Sequence, residues 1–257
     1  MASLGCVINP SMVLPDTLDA DFVEPCLMGR FVGSENGRTV VLPRATHGLG
    51  GLPVKGAAVL FPGDLALADP ATPLEHITQH LDRVAESLAA VSDGGWVVLG
   101  SGASRTIPAH VEREVGLARL AEVVGEATQR FAAVGFEVLL EPLRKSESNV
   151  FNNLGETAEY LDEHGLGNRM VCDTYHLFSE GLTSPHAVAQ VGRIGHVHLS
   201  GHDRLPVHRD ADAVFEVSDA LVAAGYQGRF SLECAWPNGV DDLIADLAVC
   251  RERLPVG

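Results

Sequence analysis

Along the chain, short apolar runs alternate with longer segments in which apolar positions recur every three or four residues. The runs are Leu4 to Ile8, Phe22 to Leu27, Ala57 to Phe61, Trp96 to Leu99, Glu137 to Leu140, Met170 to Asp173, Ile194 to Leu199 and Arg229 to Glu233. Several are apolar almost throughout, as strands are when both of their faces are covered. The longer segments have helical spacing, most clearly from Pro73 to Val91, where Leu74, Ile77, Leu81, Val84 and Leu88 form one stripe. Thr72 is expected to cap this helix with Pro73 at its first position, and Gly94-Gly95 to stop it. Further helices are expected over Val111 to Val134, Leu154 to His164, Pro185 to Val191, Ala213 to Ala224 and Val240 to Leu254.

From Trp96 onward strand and helix alternate without interruption, which predicts right-handed βα units on a parallel sheet. Eight strands is the number that closes such a sheet into an α/β barrel, so the expected fold is a (β/α)8 TIM barrel with residues 1–257 forming one domain. The first third is less regular. Pro10 and Pro15 follow the first strand, and Arg30 to Lys55 is rich in glycine, with Pro43 and Pro53 and little periodicity. That stretch is expected to be an active-site loop in place of a helix.

Charge narrows the partners. Among 257 residues there are 18 Lys+Arg against 34 Asp+Glu, a formal net charge of −16. Duplex binding needs clustered cations to displace counterions from phosphates, so nucleic acid is excluded as a partner, and an anionic membrane surface is disfavoured. No apolar run approaches the roughly 20 residues of a spanning helix. The start MASLGCVINP also lacks the basic flank and apolar stretch of a signal peptide. Cys6, Cys26, Cys172, Cys234 and Cys250 are odd in number and scattered, and are read as reduced thiols of a cytoplasmic protein.

Barrel active sites sit where strands end. Four successive strand tips carry Glu141, Asp173, His198 and Glu233, about one βα unit apart, which places them around one rim. Three carboxylates and an imidazole converging there repel one another unless a cation sits between them, and the O/N donor set suits Mn²⁺, Co²⁺, Mg²⁺ or Zn²⁺. In the HVH run, His196 and His198 are read as facing opposite sides of their strand, one toward the barrel interior and one toward the helical layer, so that at most one is a ligand. Cys172 and Cys234 neighbour presumed ligands and are read as small packing residues behind the site.

These residues resemble a known family, the sugar isomerases and epimerases with xylose-isomerase-like TIM barrels, and within it the ketose 3-epimerases acting on sugars such as D-tagatose, D-psicose and L-ribulose. The resemblance runs from about Ala57 to Trp236. It rests on VVLGSGASRTIP, LLEPLRKSESNVFNN, VCDTYH, IGHVHLSGHDRLP and GYQGRFSLECAW, five blocks in order and in register. It implies that Glu141, Asp173, His198 and Glu233 hold one divalent metal, commonly manganese. It also implies substrate contacts by Glu147, six residues beyond the first metal Glu, by His176, three beyond the metal Asp, and by Arg204, six beyond the metal His. Barrels of this family often pair, so a homo-oligomer is within what the resemblance implies. One departure stands out: many relatives carry a P-G-x-G-H run after the Arg, whereas this chain reads DRLPVHRDADAVF. His202, His208, Arg209 and Asp210 in that altered lid suggest a polar or larger substrate.

The chemistry expected of such a site is proton abstraction from carbon next to a carbonyl, through a cis-enediolate, with Glu141 and Glu233 as the acid/base pair and a small sugar or sugar derivative as substrate. A second enzymatic reading is a lyase or deglycosidase that applies the same chemistry to a keto-glycoside. A DNA-repair endonuclease would need a basic surface, which the net charge of −16 opposes. A non-catalytic binding subunit with a relict site is opposed by the presence of all seven residues.

Overall fold

A computed structural model describes residues 3–35, 38–43 and 46–255; Met1, Ala2, Asn36, Gly37, Arg44, Ala45, Val256 and Gly257 lie outside the described residues. The strands are β1 (Leu4–Ile8), β2 (Phe22–Pro25), β3 (Val32–Glu35), β4 (Arg38–Val41), β5 (Gly56–Ala57), β6 (Gly95–Leu99), β7 (Phe136–Leu140), β8 (Met170–Asp173), β9 (Ile194–Leu199) and β10 (Phe230–Leu232). The helices are α1 (Leu74–Ala89), α2 (Gly102–Arg105), α3 (Arg113–Ala132), α4 (Leu154–Glu163), α5 (Thr174–Ser179), α6 (Ser184–Val188), α7 (Ala211–Ala223) and α8 (Val240–Arg253).

Eight strands form one parallel sheet in the order β2-β1-β10-β9-β8-β7-β6-β5. Its ends meet: Val23 pairs with Val54 and Cys26 with Ala58, and the Leu27 N–H donates to the Ala58 carbonyl at 2.8 Å. The result is the expected (β/α)8 barrel, with helices following β5 to β10 but none between β1 and β2.

Alternation along each strand divides the apolar residues in two. One set faces the helices and joins the large core. The other, Phe22, Trp96, Val98, Leu139 and Val171, packs inside the barrel as a separate cluster. Glycine at two interior positions makes room for its rings: a Cβ on Gly5 would lie 2.2 Å from the Phe22 ring, and one on Gly56 2.4 Å from the Trp96 indole. Phe22 and Trp96 then meet edge to face at 5.2 Å. This filled floor raises the polar residues toward the mouth.

Three local expectations need correction. First, Arg30 to Lys55 is not simply a loop at the mouth. It contains the antiparallel hairpin β3–β4, which packs against α1, where the Thr39 hydroxyl bonds His80 Nδ1 at 2.7 Å. Arg30 turns back instead to the segments after β1 and β4, donating to the carbonyls of Asn9, Met12 and His47. Second, α1 begins at Leu74, with Pro73 in the capping position at ψ 129° and no side-chain cap. An extended Pro73 lies just outside the helix, and Thr72 belongs to the preceding turn, its N–H bonded to the Asp69 carbonyl. Third, Gly95 opens β6 rather than ending α1, which stops at Ala89.

Two stability effects follow. Gly56→Ala forces a methyl against Trp96 and is expected to cost about 1–3 kcal/mol, measured by chemical denaturation. His80 is buried, stacks on Phe61 at 5.1 Å and is held with Nε2 on the Leu60 carbonyl at 2.8 Å; burial lowers its pKa. As pH falls below about 6.5, the unfolded chain takes up a proton at this residue that the folded protein resists, so stability is lost. The stability advantage of the wild type over His80→Gln should therefore narrow between about pH 7 and about pH 5.

Candidate functional site

The four strand-tip residues do converge. One donor atom from each of Glu141 (β7), Asp173 (β8), His198 (β9) and Glu233 (β10) lies within 4.8 Å of the others. Adjacent strands supply them in order, so the parallel register alone brings the tips to one rim. Glu141 Oε1 lies 3.2 Å and Glu233 Oε2 3.0 Å from His198 Nδ1. His198 is fully buried, and Glu141 and Asp173 are nearly so.

Each carboxylate is aimed by a different device. Asp173 divides its oxygens: Oδ1 caps α5 by accepting the Tyr175 N–H at 2.8 Å, and buried Oδ2 has no hydrogen-bond partner. Glu233 Oε2 sits 3.0 Å from Arg204 Nη1 and is likewise buried without a bond of good geometry. Behind Glu141 lies Arg105, fully buried. Its Nη1 donates to the Glu141 and Leu99 carbonyls at 2.6 and 3.3 Å, and its Nη2 to the Phe151 and Val150 carbonyls at 3.2 and 3.4 Å. Burial lowers this guanidinium to about 10, so it stays charged at neutral pH and ties the ends of β6 and β7 to the loop beyond. In front of Glu141 is Gly100, where a Cβ would stand 2.3 Å from Oε2.

The electrostatics favour a cation. Burial, with Glu233 and Glu141 adjacent, pushes the Asp173 carboxyl well above the usual range despite Arg204. Glu233 is held well below it: burial would raise it, but Arg204 and His198 prevail. His198 is raised well above an ordinary histidine because the surrounding carboxylates of Glu24, Glu233 and Glu141 favour its charged form and overcome its burial. A ring of buried acids with bare oxygens facing one point fits a hard or borderline divalent ion.

The three substrate-contact candidates stand on the outer side of this ring. His176 accepts the Arg144 N–H at Nδ1, 3.2 Å, which leaves Nε2 as its protonated nitrogen, 3.6 Å from Asp173 Oδ2. Burial, then Arg204, lowers it to about 3 and keeps it neutral. Its 3.2 Å approach to Arg204 Nη2 is thus a contact of two donors. Arg204 also lies over the Tyr175 ring at 4.4 Å. Glu147 is not part of the ring; it pairs with Arg144 Nε at 2.6 Å at the half-exposed rim.

Two readings of the sequence are overturned. Residues 196 and 198 are two apart on one strand and so share a face. Both imidazoles point into the barrel, their centroids 5.0 Å apart, with His196 one layer below His198. Nor do the charges of the altered lid face the site. His202 stacks on Phe178 and bonds Asp210 at 2.7 Å, His208 bonds Asp246 at 2.7 Å, and Arg209 bonds Asp242 at 2.9 Å. They pin the loop to its own helices, and of this segment Arg204 is the side chain that reaches the ring. Cys172 does lie in the core behind Asp173, and Cys234 donates its thiol to the Leu199 carbonyl.

Sequence reading also passed over Arg105, Arg144, Tyr175 and Glu24. Glu24 is a charge within the apolar run Phe22 to Leu27, and an acid inside a strand covered on both faces was the available signal.

The chain matches the model of one family, described as xylose isomerase-like TIM barrel, over residues 46–253. It belongs to that xylose isomerase-like family. Two curated relatives are each 27% identical to it. A D-psicose 3-epimerase of Enterocloster bolteae matches over 56% of this chain and 47% of its own length; an L-ribulose 3-epimerase of Mesorhizobium japonicum matches over 70% and 61%. The matches thus span about half to three fifths of these relatives. Among solved structures, D-allulose 3-epimerase from Methylomonas sp. in complex with D-allulose superposes with a TM-score of 0.76 at 16% identity, over 98% of this chain and 97% of that one. The 3-keto-D-glucoside 4-epimerase of E. coli does so with 0.70 at 18%, over 98% and 100%. At those identities the likeness concerns the fold of this xylose isomerase-like chain.

Gly100→Ala tests how tightly Glu141 is placed. The added methyl meets only the flexible end of a side chain, so the fold should survive within about 1 kcal/mol. The displaced carboxylate should weaken Mn²⁺ binding about tenfold or more by calorimetric titration.

Proposed function

We propose that this protein is a divalent-metal-dependent sugar epimerase or isomerase, with Glu141, Asp173, His198 and Glu233 as metal ligands and Glu141 and Glu233 as the acid/base pair. The observation that carries this reading is the meeting of those four side chains at one buried point. The curated relatives favour inversion of a ketose carbon over elimination from a keto-glycoside.

A divalent ion, most economically Mn²⁺, supplies Lewis-acid stabilisation of the negative charge that grows on the carbonyl and neighbouring hydroxyl oxygens as the C–H bond breaks. The protein does the rest. In the order β10-β9-β8-β7, Glu233 and Glu141 stand at the two ends of the arc with His198 and Asp173 between them. Two carboxylates so separated reach a planar enediolate from opposite faces: one removes the proton and the other returns one, inverting the carbon. The Nε2–H of His176 is a neutral donor for a substrate oxygen. Arg204 and Glu147 hold more distant hydroxyls, the guanidinium as a planar fork and the carboxylate as acceptor.

Five unpaired thiols support a reducing, cytoplasmic setting, and among the described residues no helix is long and apolar enough to cross a membrane.

Metal analysis of the purified protein, followed by exchange of substrate C–H with D₂O across a ketose panel, tests this function. Exchange is expected on at least one ketose. Glu141→Gln and Glu233→Gln should each slow it by about 10²-fold or more while leaving the circular dichroism unchanged. Normal turnover in either variant would show that the acid/base pair is misassigned.

A further inference from the structure

Beneath the ring, between it and the apolar barrel floor, lies a fourth acidic side chain that no substrate could reach. Glu24, from β2, is fully buried. Its Oε1 accepts from Trp96 Nε1 at 3.1 Å and from His198 Nε2 at 3.2 Å. Its Oε2 accepts from the Ser231 hydroxyl at 2.9 Å and lies 3.0 Å from His196 Nε2. A carboxylate offers about four acceptor positions, and Trp96, His198 and Ser231 occupy three of them. His196 Nε2 stands beside the fourth, 3.0 Å from Glu24 Oε2 and 2.9 Å from Ser231 Oγ. That occupancy decides between two roles for the Glu24–His196–His198 cluster, because a second metal there would have to break these bonds inside the closed barrel. The cluster is a hydrogen-bonded support.

Its geometry has a directional consequence. The imidazole of His198 stands between Glu24 on one side and Glu141 and Glu233 on the other. With Nε2 turned to Glu24, Nδ1 is the nitrogen that faces the carboxylate ring. We propose that Glu24 is a positioning residue for the metal centre: it fixes the tautomer and the ring orientation of His198, so that Nδ1 is the coordinating atom. Metal-bound histidines are commonly oriented in this way, and loss of the partner typically weakens metal affinity 10–100-fold. The other donors have separable parts. Trp96 shares Oε1 with His198, whereas Ser231 and His196 hold Oε2, so the carboxylate cannot rotate without leaving a buried donor unpaired.

This inference rests on the four-residue metal site proposed above, and its test separates the two. Mn²⁺ binding to the purified protein is measured by calorimetry for the wild type, Glu24→Gln and Ser231→Ala, with thermal unfolding of each metal-free protein alongside. The expected result is 10–100-fold weaker binding in Glu24→Gln and a change of less than about threefold in Ser231→Ala, which strips a donor from the other oxygen. Absence of Mn²⁺ binding in the wild type would overturn the metal site itself. Binding in Glu24→Gln within twofold of the wild type, or an equal loss in Ser231→Ala, would overturn the role of Glu24 alone. Should Glu24→Gln fail to fold, ¹⁵N NMR of the wild type loaded with diamagnetic Zn²⁺ decides: a proton retained on Nε2 of His198 with a metal-shifted Nδ1 supports the assignment, and the reverse pattern refutes it.

Discussion

The structure is organised around mutual repulsion of acidic side chains held out of water. Glu141, Asp173 and Glu233 point at one place inside a barrel mouth, where screening by solvent is weak and like charges a few ångströms apart are costly. Such a cluster persists only if the scaffold leaves it no way to spread. Here Arg105 ties the Glu141 backbone from behind, α5 holds one oxygen of Asp173, and the parallel register of β7 to β10 aligns the tips. Arg204 offsets part of the charge from the solvent side. The remainder is uncompensated acidity at the mouth, which a divalent cation would neutralise.

That acidity explains the layering of the interior. A barrel of eight strands leaves room for side chains but not for water-filled space. The lower layer is apolar and aromatic, with glycine wherever an indole or phenyl ring needs the opposite wall. The middle layer is polar and knit together by the donors around Glu24. The upper layer is polar and open-ended, with bare oxygens on Asp173 and Glu233. Polarity therefore rises toward the mouth, where Asp173 and Glu233 keep buried carboxylate oxygens without a hydrogen-bond partner.

Much of this was legible in the sequence, for a definite reason. Where strand and helix alternate, apolar runs mark the strands and glycines the stops, so every barrel strand was anticipated close to its observed place, as were six of the helices. The four strand tips followed from the fold alone. What escaped notice depends on contacts between residues distant in the chain. Nothing near Arg105 reveals that its guanidinium will be consumed by carbonyls from three segments. The hairpin Val32–Glu35 with Arg38–Val41 was hidden because its strands are short and polar, and because its packing partner, α1, lies 40 residues on. The lid charges looked available for a ligand because sequence cannot show that Asp242 and Asp246 on α8 already occupy them. The HVH run was legible and simply misread: a period of two puts both imidazoles on one face, and that face is the interior.

Backbone strain points to the same end of the barrel. Among the described residues, the non-glycine positions with φ > 0 are Val59, Ser101, Phe151, Asp203 and Arg204, and all follow the C-terminal ends of barrel strands. A left-handed conformation costs a residue with a Cβ on the order of 1–3 kcal/mol, most for a β-branched valine, and survives only when its surroundings impose it. At Ser101 the imposing contact is visible: its hydroxyl accepts the Phe61 N–H at 3.0 Å, tying the mouth of β6 to the segment after β5. At Arg204 the same conformation carries the guanidinium back over Tyr175 toward Glu233, while the flanking His202 and His208 are held away by Asp210 and Asp246. The strained turn and the pinned histidines thus act together. They separate one cation from a run of charged neighbours and deliver it to the acidic ring.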